Sequence, residues 1–177
     1  TVTGDGKATL RLDVNGAWSD SHAPGRLEDL CGLPIDCVEE PVSGMNSEIL
    51  ADLQSTLPFA LAADESLPRL APLLEAGLFP VRRVILKPTV LGGALPALRL
   101  AKLAACNDVE VVVTTTLEAA PGRTLAAHLA AATRSQLAHG LDTADWLATD
   151  VGVGPVIEQG RLVLDKAMPG LGVGLRS

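Results

Sequence analysis

Phe59-Ala60-Leu61-Ala62-Ala63-Asp64 is five apolar residues closed by an acid. A run this short, apolar throughout rather than alternating, suits a parallel strand covered on both faces. The pattern recurs on either side of it. Leu10-Arg11-Leu12-Asp13, Ile35-Asp36-Cys37-Val38-Glu39 and Val84-Ile85-Leu86-Lys87 also end on a charge. Asp13, Glu39, Asp64 and Lys87 therefore succeed one another roughly every 25 residues, the length of one strand and one helix. Working outward, strands are expected over 8–14, 35–38, 59–63, 81–86 and 109–116. Helices are expected over 47–53, 67–76, 94–105 and 124–133, where Leu and Ala recur at helical spacing. Pro41, Gly77, Pro80, Gly92-Gly93, Asn107-Asp108 and Pro121-Gly122 punctuate the joins. Alternation of this kind predicts an α/β fold with a parallel sheet.

In such a fold successive strand C-termini converge on one face, where catalytic groups collect. A charge at a strand end can simply border solvent. Four in phase with the strand–helix repeat point instead to a shared site. Three carboxylates crowded there repel unless a cation neutralises them, and an all-oxygen donor set suits a hard divalent ion, best Mg²⁺. Lys87 in the same partly desolvated place becomes acid/base competent or stabilises a developing anion.

Composition excludes several other classes. The chain has 177 residues, 47% hydrophobic, enough for a core and too apolar for global disorder. With 14 basic against 21 acidic residues the net charge is -7, which argues against nucleic acid or an anionic membrane as partner. Aromatics are 2% of the chain, too few for base-stacking platforms. Charged residues interrupt every apolar run before it reaches the ~18 residues of a membrane span. The three cysteines, Cys31, Cys37 and Cys106, form no CxxC and have largely apolar flanks, so they read as buried free thiols in a reducing cytosol. Gly152-Val153-Gly154 and Gly170-Leu171-Gly172-Val173-Gly174 read as turns, since neither follows a strand and opens a helix. There is no Walker A sequence and no GxSxG elbow. His22 falls in a loop and His128 in an Ala-rich helix. His139 lies where the next strand end is due, as a site residue or as a packing one. Thr114-Thr115-Thr116 closes a Val-rich strand, and its hydroxyls suit a substrate carboxylate as well as plain strand propensity.

In their order and spacing, several pieces resemble the barrel domain of the enolase superfamily, and within it the o-succinylbenzoate synthases of menaquinone biosynthesis. The pieces are Leu10–Asp13 with Val14-Asn15-Gly16-Ala17-Trp18, Val38-Glu39-Glu40-Pro41, Ala63-Asp64-Glu65-Ser66-Leu67 and Ile85-Leu86-Lys87-Pro88 up to Gly92-Gly93. Later come Val113-Thr114-Thr115-Thr116-Leu117-Glu118, His139-Gly140-Leu141 leading to Trp146, and Pro169-Gly170-Leu171-Gly172. The resemblance implies a partial TIM-type (β/α) barrel spanning 1–177, strands three to eight of the superfamily's C-terminal barrel. The N-terminal capping domain and the first two βα units would lie outside this chain, since a complete barrel takes ~250 residues.

The resemblance also implies roles. Asp13, Glu39 and Asp64 would ligate Mg²⁺, Lys87 would be the catalytic residue that stabilises the anion, and Thr115, Thr116 and Gly140 would contact the succinyl end of the substrate. Glu40 and Glu65 border the motifs without a catalytic role. The reaction implied is a Mg-dependent lyase step in the cytoplasm, on a small-molecule carboxylate: dehydration of 2-succinyl-6-hydroxy-2,4-cyclohexadiene-1-carboxylate to 2-succinylbenzoate through an enediolate. The chain departs from the pattern in two ways. Threonines and Ala119 stand where the family carries serines, and no Lys-x-Lys base pair precedes Asp13, the other lysines being Lys7, Lys102 and Lys166. A related N-acylamino acid racemase, epimerase or cycloisomerase, and a truncated barrel without activity, are the alternative readings.

Overall fold

A computed structural model describes residues 8–44, 46–164 and 169–175. Strands and helices alternate through most of it. They are β1 (Leu10–Asp13), α1 (Ala23–Asp29), β2 (Ile35–Glu39), α2 (Ser47–Thr56), β3 (Ala60–Ala63), α3 (Leu67–Glu75), β4 (Arg83–Leu86), α4 (Ala94–Cys106), β5 (Glu110–Val113) and α5 (Ala120–Thr133). The sheet order is β1-β2-β3-β4-β5, and the pairings from β1 to β4 are parallel. Glu110 N donates to Arg82 O and Thr114 N to Leu86 O, the same offset twice, so β5 also runs parallel to β4. Strands that neighbour one another in chain order, each pair joined through a helix, give the succession of a (β/α) barrel. A doubly wound sheet would reverse its order.

The contacts divide the chain into two compact units. One runs to Ile85 and takes in Leu103–Glu110; the other holds Leu86–Lys102 and everything from Val111 onward. In the first unit β3 is Ala-Leu-Ala-Ala with every residue buried, as the apolar run predicts. Helix α3 sinks Leu67, Leu70 and Leu74, a stripe at helical spacing that is at most 1% exposed. Pro68 sits in its first turn, where no backbone N–H is needed. Helix α2 is capped by Asn46, whose side-chain oxygen accepts from Glu48 N at 2.7 Å. The buried Gln54 amide then serves three backbone groups: Nε2 donates to Phe59 O at 3.1 Å, and Oε1 accepts from Leu61 N at 2.8 Å and Arg82 N at 3.0 Å.

Towards the strand starts an ionic ladder crosses the first unit. The β1–β2 register shifts between Leu10 and Arg11, which leaves Asp36 as an extra residue beside Arg11. The Asp36 carboxylate accepts from Arg11 Nε at 2.6 Å and from Arg83 Nη1 at 2.9 Å and Nη2 at 3.1 Å. Arg83 reaches on to Glu110 through Nε at 2.9 Å and Nη2 at 2.8 Å. Hydrogen bonds from Arg83 hold the Asp36 carboxyl down to about 2, against the opposing effect of burial and with help from Arg11.

In the second unit α5 begins at Ala120, earlier than the expected 124, with Pro121 and Gly122 inside its first turn. Asp150 lies at its N-terminus and accepts from Ala120 N at 2.9 Å, while its other oxygen pairs with Arg123 at 2.8 Å. These contacts, the backbone bond first, hold Asp150 down to about 2. After a turn of 3₁₀ helix at Ala144–Trp146 come, among the described residues, four two-residue strands: β6 (Gly152–Val153), β7 (Ile157–Glu158), β8 (Arg161–Leu162) and β9 (Gly174–Leu175).

Three sequence expectations are corrected. Gly152-Val153 and Gly174, read as turns, are strands, because β6 and β9 pair antiparallel. The strand due at His139 is reduced to one bridge, Thr114 to Gly140, and Thr143 soon opens the 3₁₀ segment as its N-cap. Of the thiols, only Cys37 is buried; Cys31 and Cys106 are exposed, and all three are free. Among the described residues no helix is long and apolar enough to cross a membrane.

Candidate functional site

In the first unit the three carboxylate positions follow from strand register. Asp13 and Glu39 are paired residues at the ends of β1 and β2, and Glu39 pairs in turn with Ala62 of β3. Paired residues in a parallel sheet lie side by side, ~4.8 Å apart, and alternate residues share a face. Asp13 and Glu39 therefore take the same side of adjacent strand ends, and Asp64 is the first residue past the end of β3.

Local bonds carry the chain out of each strand. Asp13 is exposed, and its Oδ1 accepts from Asn15 N at 2.9 Å, closing a turn in which Asn15 (φ 50) and Gly16 (φ 68) are left-handed. Val14 N donates to Glu39 O at 3.0 Å, and Glu40 N to Ala62 O at 3.0 Å, so the ladder continues past the last paired residues. Glu39 is half-buried and Asp64 is 8% exposed. Asp64 O accepts from Leu67 N at 3.0 Å, which starts α3 directly after the acid.

The donor set fits a hard cation in chemistry: three carboxylates at or just past the ends of three neighbouring strands. As they stand, no three His, Cys, Asp or Glu side chains among the described residues converge closely enough to hold an ion. The carboxylates line the strand ends without being gathered.

In the second unit Lys87 directly follows β4 and is half-buried. Its carbonyl accepts from both Val90 N and Leu91 N at 3.0 Å, fixing the backbone that leaves the strand. Thr115 is 8% exposed. Its N–H donates to Gly140 O at 2.9 Å, and its hydroxyl meets Gly140 O at 3.3 Å and Thr143 Oγ1 at 3.0 Å. Thr116 N and Oγ1 donate to Glu118 Oε1 at 3.2 and 3.0 Å, and Thr89 Oγ1 donates to the same oxygen. Gly140 is a place of close approach, where an added Cβ would stand 2.9 Å from Thr114 Cγ2.

The structure thus brings Thr115 and Gly140 together, with the Thr115 hydroxyl engaged within the protein, while Thr116 bonds to Glu118. His139 takes the packing role. Its Nδ1 accepts from Val113 N at 3.0 Å, while Gly140 N donates to Val113 O at 3.0 Å, so His139-Gly140 completes the edge of β5. His128 Nε2 lies 3.1 Å from Leu171 O, and His22 Nδ1 lies 2.8 Å from Ser19 Oγ.

Two acids had no role in the sequence reading. Glu118 is 8% exposed, and its Oε2 is buried without a hydrogen-bond partner among the described residues. Glu40 is 4% exposed, and its Oε2 accepts from Asp64 N at 3.0 Å, Ser66 N at 3.2 Å and Ser66 Oγ at 2.9 Å. The only sequence signal for either was its place inside a motif.

Comparison with known proteins bears on this arrangement. The family model described as "Enolase C-terminal domain-like" matches residues 1–177. An o-succinylbenzoate synthase from Desulfotalea psychrophila is 31% identical over 137 residues, covering 76% of this chain and 37% of that protein. The crystal structure of a muconate cycloisomerase from Pseudomonas fluorescens superimposes with a TM-score of 0.84 at 30% identity, covering 97% of this chain and 48% of the other. A dipeptide epimerase from Enterococcus faecalis, in complex with Mg and the dipeptide L-Leu-L-Tyr, gives a TM-score of 0.80 at 29% identity, covering 94% and 48%. The chain spans about half the length, or less, of each of these relatives. All three are enzymes.

Proposed function

The chain belongs to the enolase C-terminal domain-like family, and on that premise we propose that it carries the metal-binding strands of a Mg²⁺-dependent enzyme acting on a small carboxylate. The reaction we assign is the dehydration of 2-succinyl-6-hydroxy-2,4-cyclohexadiene-1-carboxylate to 2-succinylbenzoate. The observation that carries the reading is the register: Asp13 paired with Glu39, Glu39 with Ala62, and Asp64 the first residue past β3.

In this reading Asp13, Glu39 and Asp64 hold the ion, as oxygen donors on adjacent strands suit. When bound, Mg²⁺ supplies positive charge to a substrate carboxylate and so lowers the cost of removing the neighbouring proton. The ammonium of Lys87 balances the anion left by that proton, and its half-buried setting strengthens the attraction. Thr116 and the Thr115–Gly140 edge orient the far end of the substrate.

Two measurements test the proposal in the intact protein. Calorimetric titration should detect one Mg²⁺ site that Asp64→Asn weakens; unchanged affinity would remove the triad. Ultraviolet detection of the aromatic product should show turnover that Lys87→Ala cuts by orders of magnitude while Mg²⁺ affinity survives. The identities near 30% with a cycloisomerase and an epimerase favour a second reading, in which the same residues serve an isomerisation. Epimerisation of a dipeptide or an N-acylamino acid, with no aromatic product formed, would establish it.

A further inference from the structure

We infer that Glu40 is a positioning residue: its buried carboxylate shapes the Asp64 loop and joins the three acid-bearing strand ends before any ion arrives. The inference rests on the reading of Asp64 as a metal ligand and adds a residue which that reading leaves out.

Position 40 is an improbable place for an acid unless it has a task. The residue follows the last residue of β2, is 4% exposed, and adopts a left-handed backbone, φ 38, without being glycine. Burying a carboxylate is unfavourable unless several donors meet it, and a left-handed non-glycine residue adds strain. Both costs are answered by what Glu40 touches. Its N–H continues the sheet to Ala62 O at 3.0 Å, while its carbonyl accepts from Gly16 N at 2.6 Å, in the turn just past Asp13. Its Oε2 accepts from Asp64 N, Ser66 N and Ser66 Oγ. One residue therefore binds the exit of β1, extends β2 and folds the exit of β3.

The left-handed turn has a geometrical result. In a regular strand Glu39 and Glu40 would simply alternate across the sheet. Reversing φ at residue 40 turns its carboxylate sideways, towards the β3 exit. Glu39 keeps its place on the Asp13 side. Two N–H groups aimed at one oxygen fix the backbone of residues 64 to 66, and with it the origin of the Asp64 side chain. Gly16 is suited to the same junction: an added Cβ there would stand 2.8 Å from Ser43 Cβ.

The test uses the intact protein, with Mg²⁺ and Mn²⁺ as probes, read by calorimetry and by the Mn²⁺ paramagnetic signal. Removing a partner that orients a ligand costs about 10–100-fold in metal affinity, and that loss is expected for Glu40→Ala. Glu40→Gln should stay within about threefold, because one amide oxygen can replace Oε2 as acceptor. Ser66→Ala removes a single donor and should fall between them. It also serves if Glu40→Ala fails to fold.

Amide exchange at Asp64 and Ser66 should quicken in Glu40→Ala and Ser66→Ala ahead of the rest of the sheet. A lower melting temperature with cation affinity unchanged in the folded variant would overturn the inference and leave Glu40 merely structural. If Asp64→Asn weakens the ion while Glu40→Ala and Ser66→Ala do not, the positioning role alone falls. If Asp64→Asn has no effect, the metal reading falls, and the inference with it.

Discussion

Replacing Arg83 by Met is the sharpest test of the frame beneath the proposed site. The side chain is 3% exposed and makes four bonds, two to Asp36 and two to Glu110. Methionine keeps much of the stem and removes only the fork. Breaking a buried pair from one side costs about 3–5 kcal/mol, because the other charge is left behind. Here the abandoned charges are partly sheltered. Asp36 is 25% exposed and keeps Arg11, and Glu110 is 46% exposed and can rehydrate. The lower end, about 3 kcal/mol, is therefore expected. For a protein of this size that lowers the melting temperature by roughly 6–12 °C. Pairing the substitution with Asp36→Asn, which withdraws the stranded charge, should recover part of the loss. The assay is thermal unfolding followed by circular dichroism, at low salt and at about 0.5 M salt. A solvent pair would weaken with salt, whereas this one should change little. A melting temperature within about 2 °C of the parent would show that Arg83 is no more than a packed stem.

Other outcomes follow from single features. Asp36 and Asp150 are both held down to about 2, so the stability they lend is complete above the usual carboxylate range and is lost as pH falls through about 2. Urea midpoints measured from pH 6 to pH 2 should fall steeply at the acid end, and less so in Asp36→Asn/Asp150→Asn. Burial pushes the Cys37 thiol up to about 12, while Cys31 and Cys106 are exposed, so a thiol reagent at neutral pH should label two cysteines quickly and the third only on unfolding. Gly140→Ala places a Cβ 2.9 Å from Thr114 Cγ2 and should cost about 1–3 kcal/mol in denaturant titration. Gly25→Ala, in helix α1 with nothing within 4 Å, should be neutral or stabilising.

Much of the strand–helix repeat could be read from the chain because its strands carry short apolar runs, and β3 and β4 are covered on both faces. β3 and β4 are buried at every position, and both were anticipated. Helix α1 was not: Ala-Pro-Gly-Arg-Leu-Glu-Asp buries only Ala23 and Leu27, too few residues to show a period. The same limit explains the ladder. Arg11, Asp36, Arg83 and Glu110 look like ordinary solvated charges until the register shift at Leu10/Arg11 brings Asp36 between two guanidinium groups, and a register shift is a property of two strands together. At the proposed site, the places of Asp13, Glu39 and Asp64 at or just past strand ends were legible because they close apolar runs. Glu40 was not, because its part depends on a left-handed backbone angle that a glutamate rarely adopts.

The Gln54 amide has a consequence for where the information that aligns the sheet is stored. A strand of Ala-Leu-Ala-Ala has almost no side-chain volume with which to choose its alignment, and sliding by one residue would exchange its two faces. Gln54 supplies the missing instruction from the preceding helix: it recognises Phe59 O, Leu61 N and Arg82 N, the entrances of β3 and β4, and no shifted pairing offers the same three groups. The alignment of β3 is thus encoded less in β3 than six residues upstream of it. Designers who rewrite this sheet would be free to vary its alanines among other small residues, but would need to carry the glutamine with them.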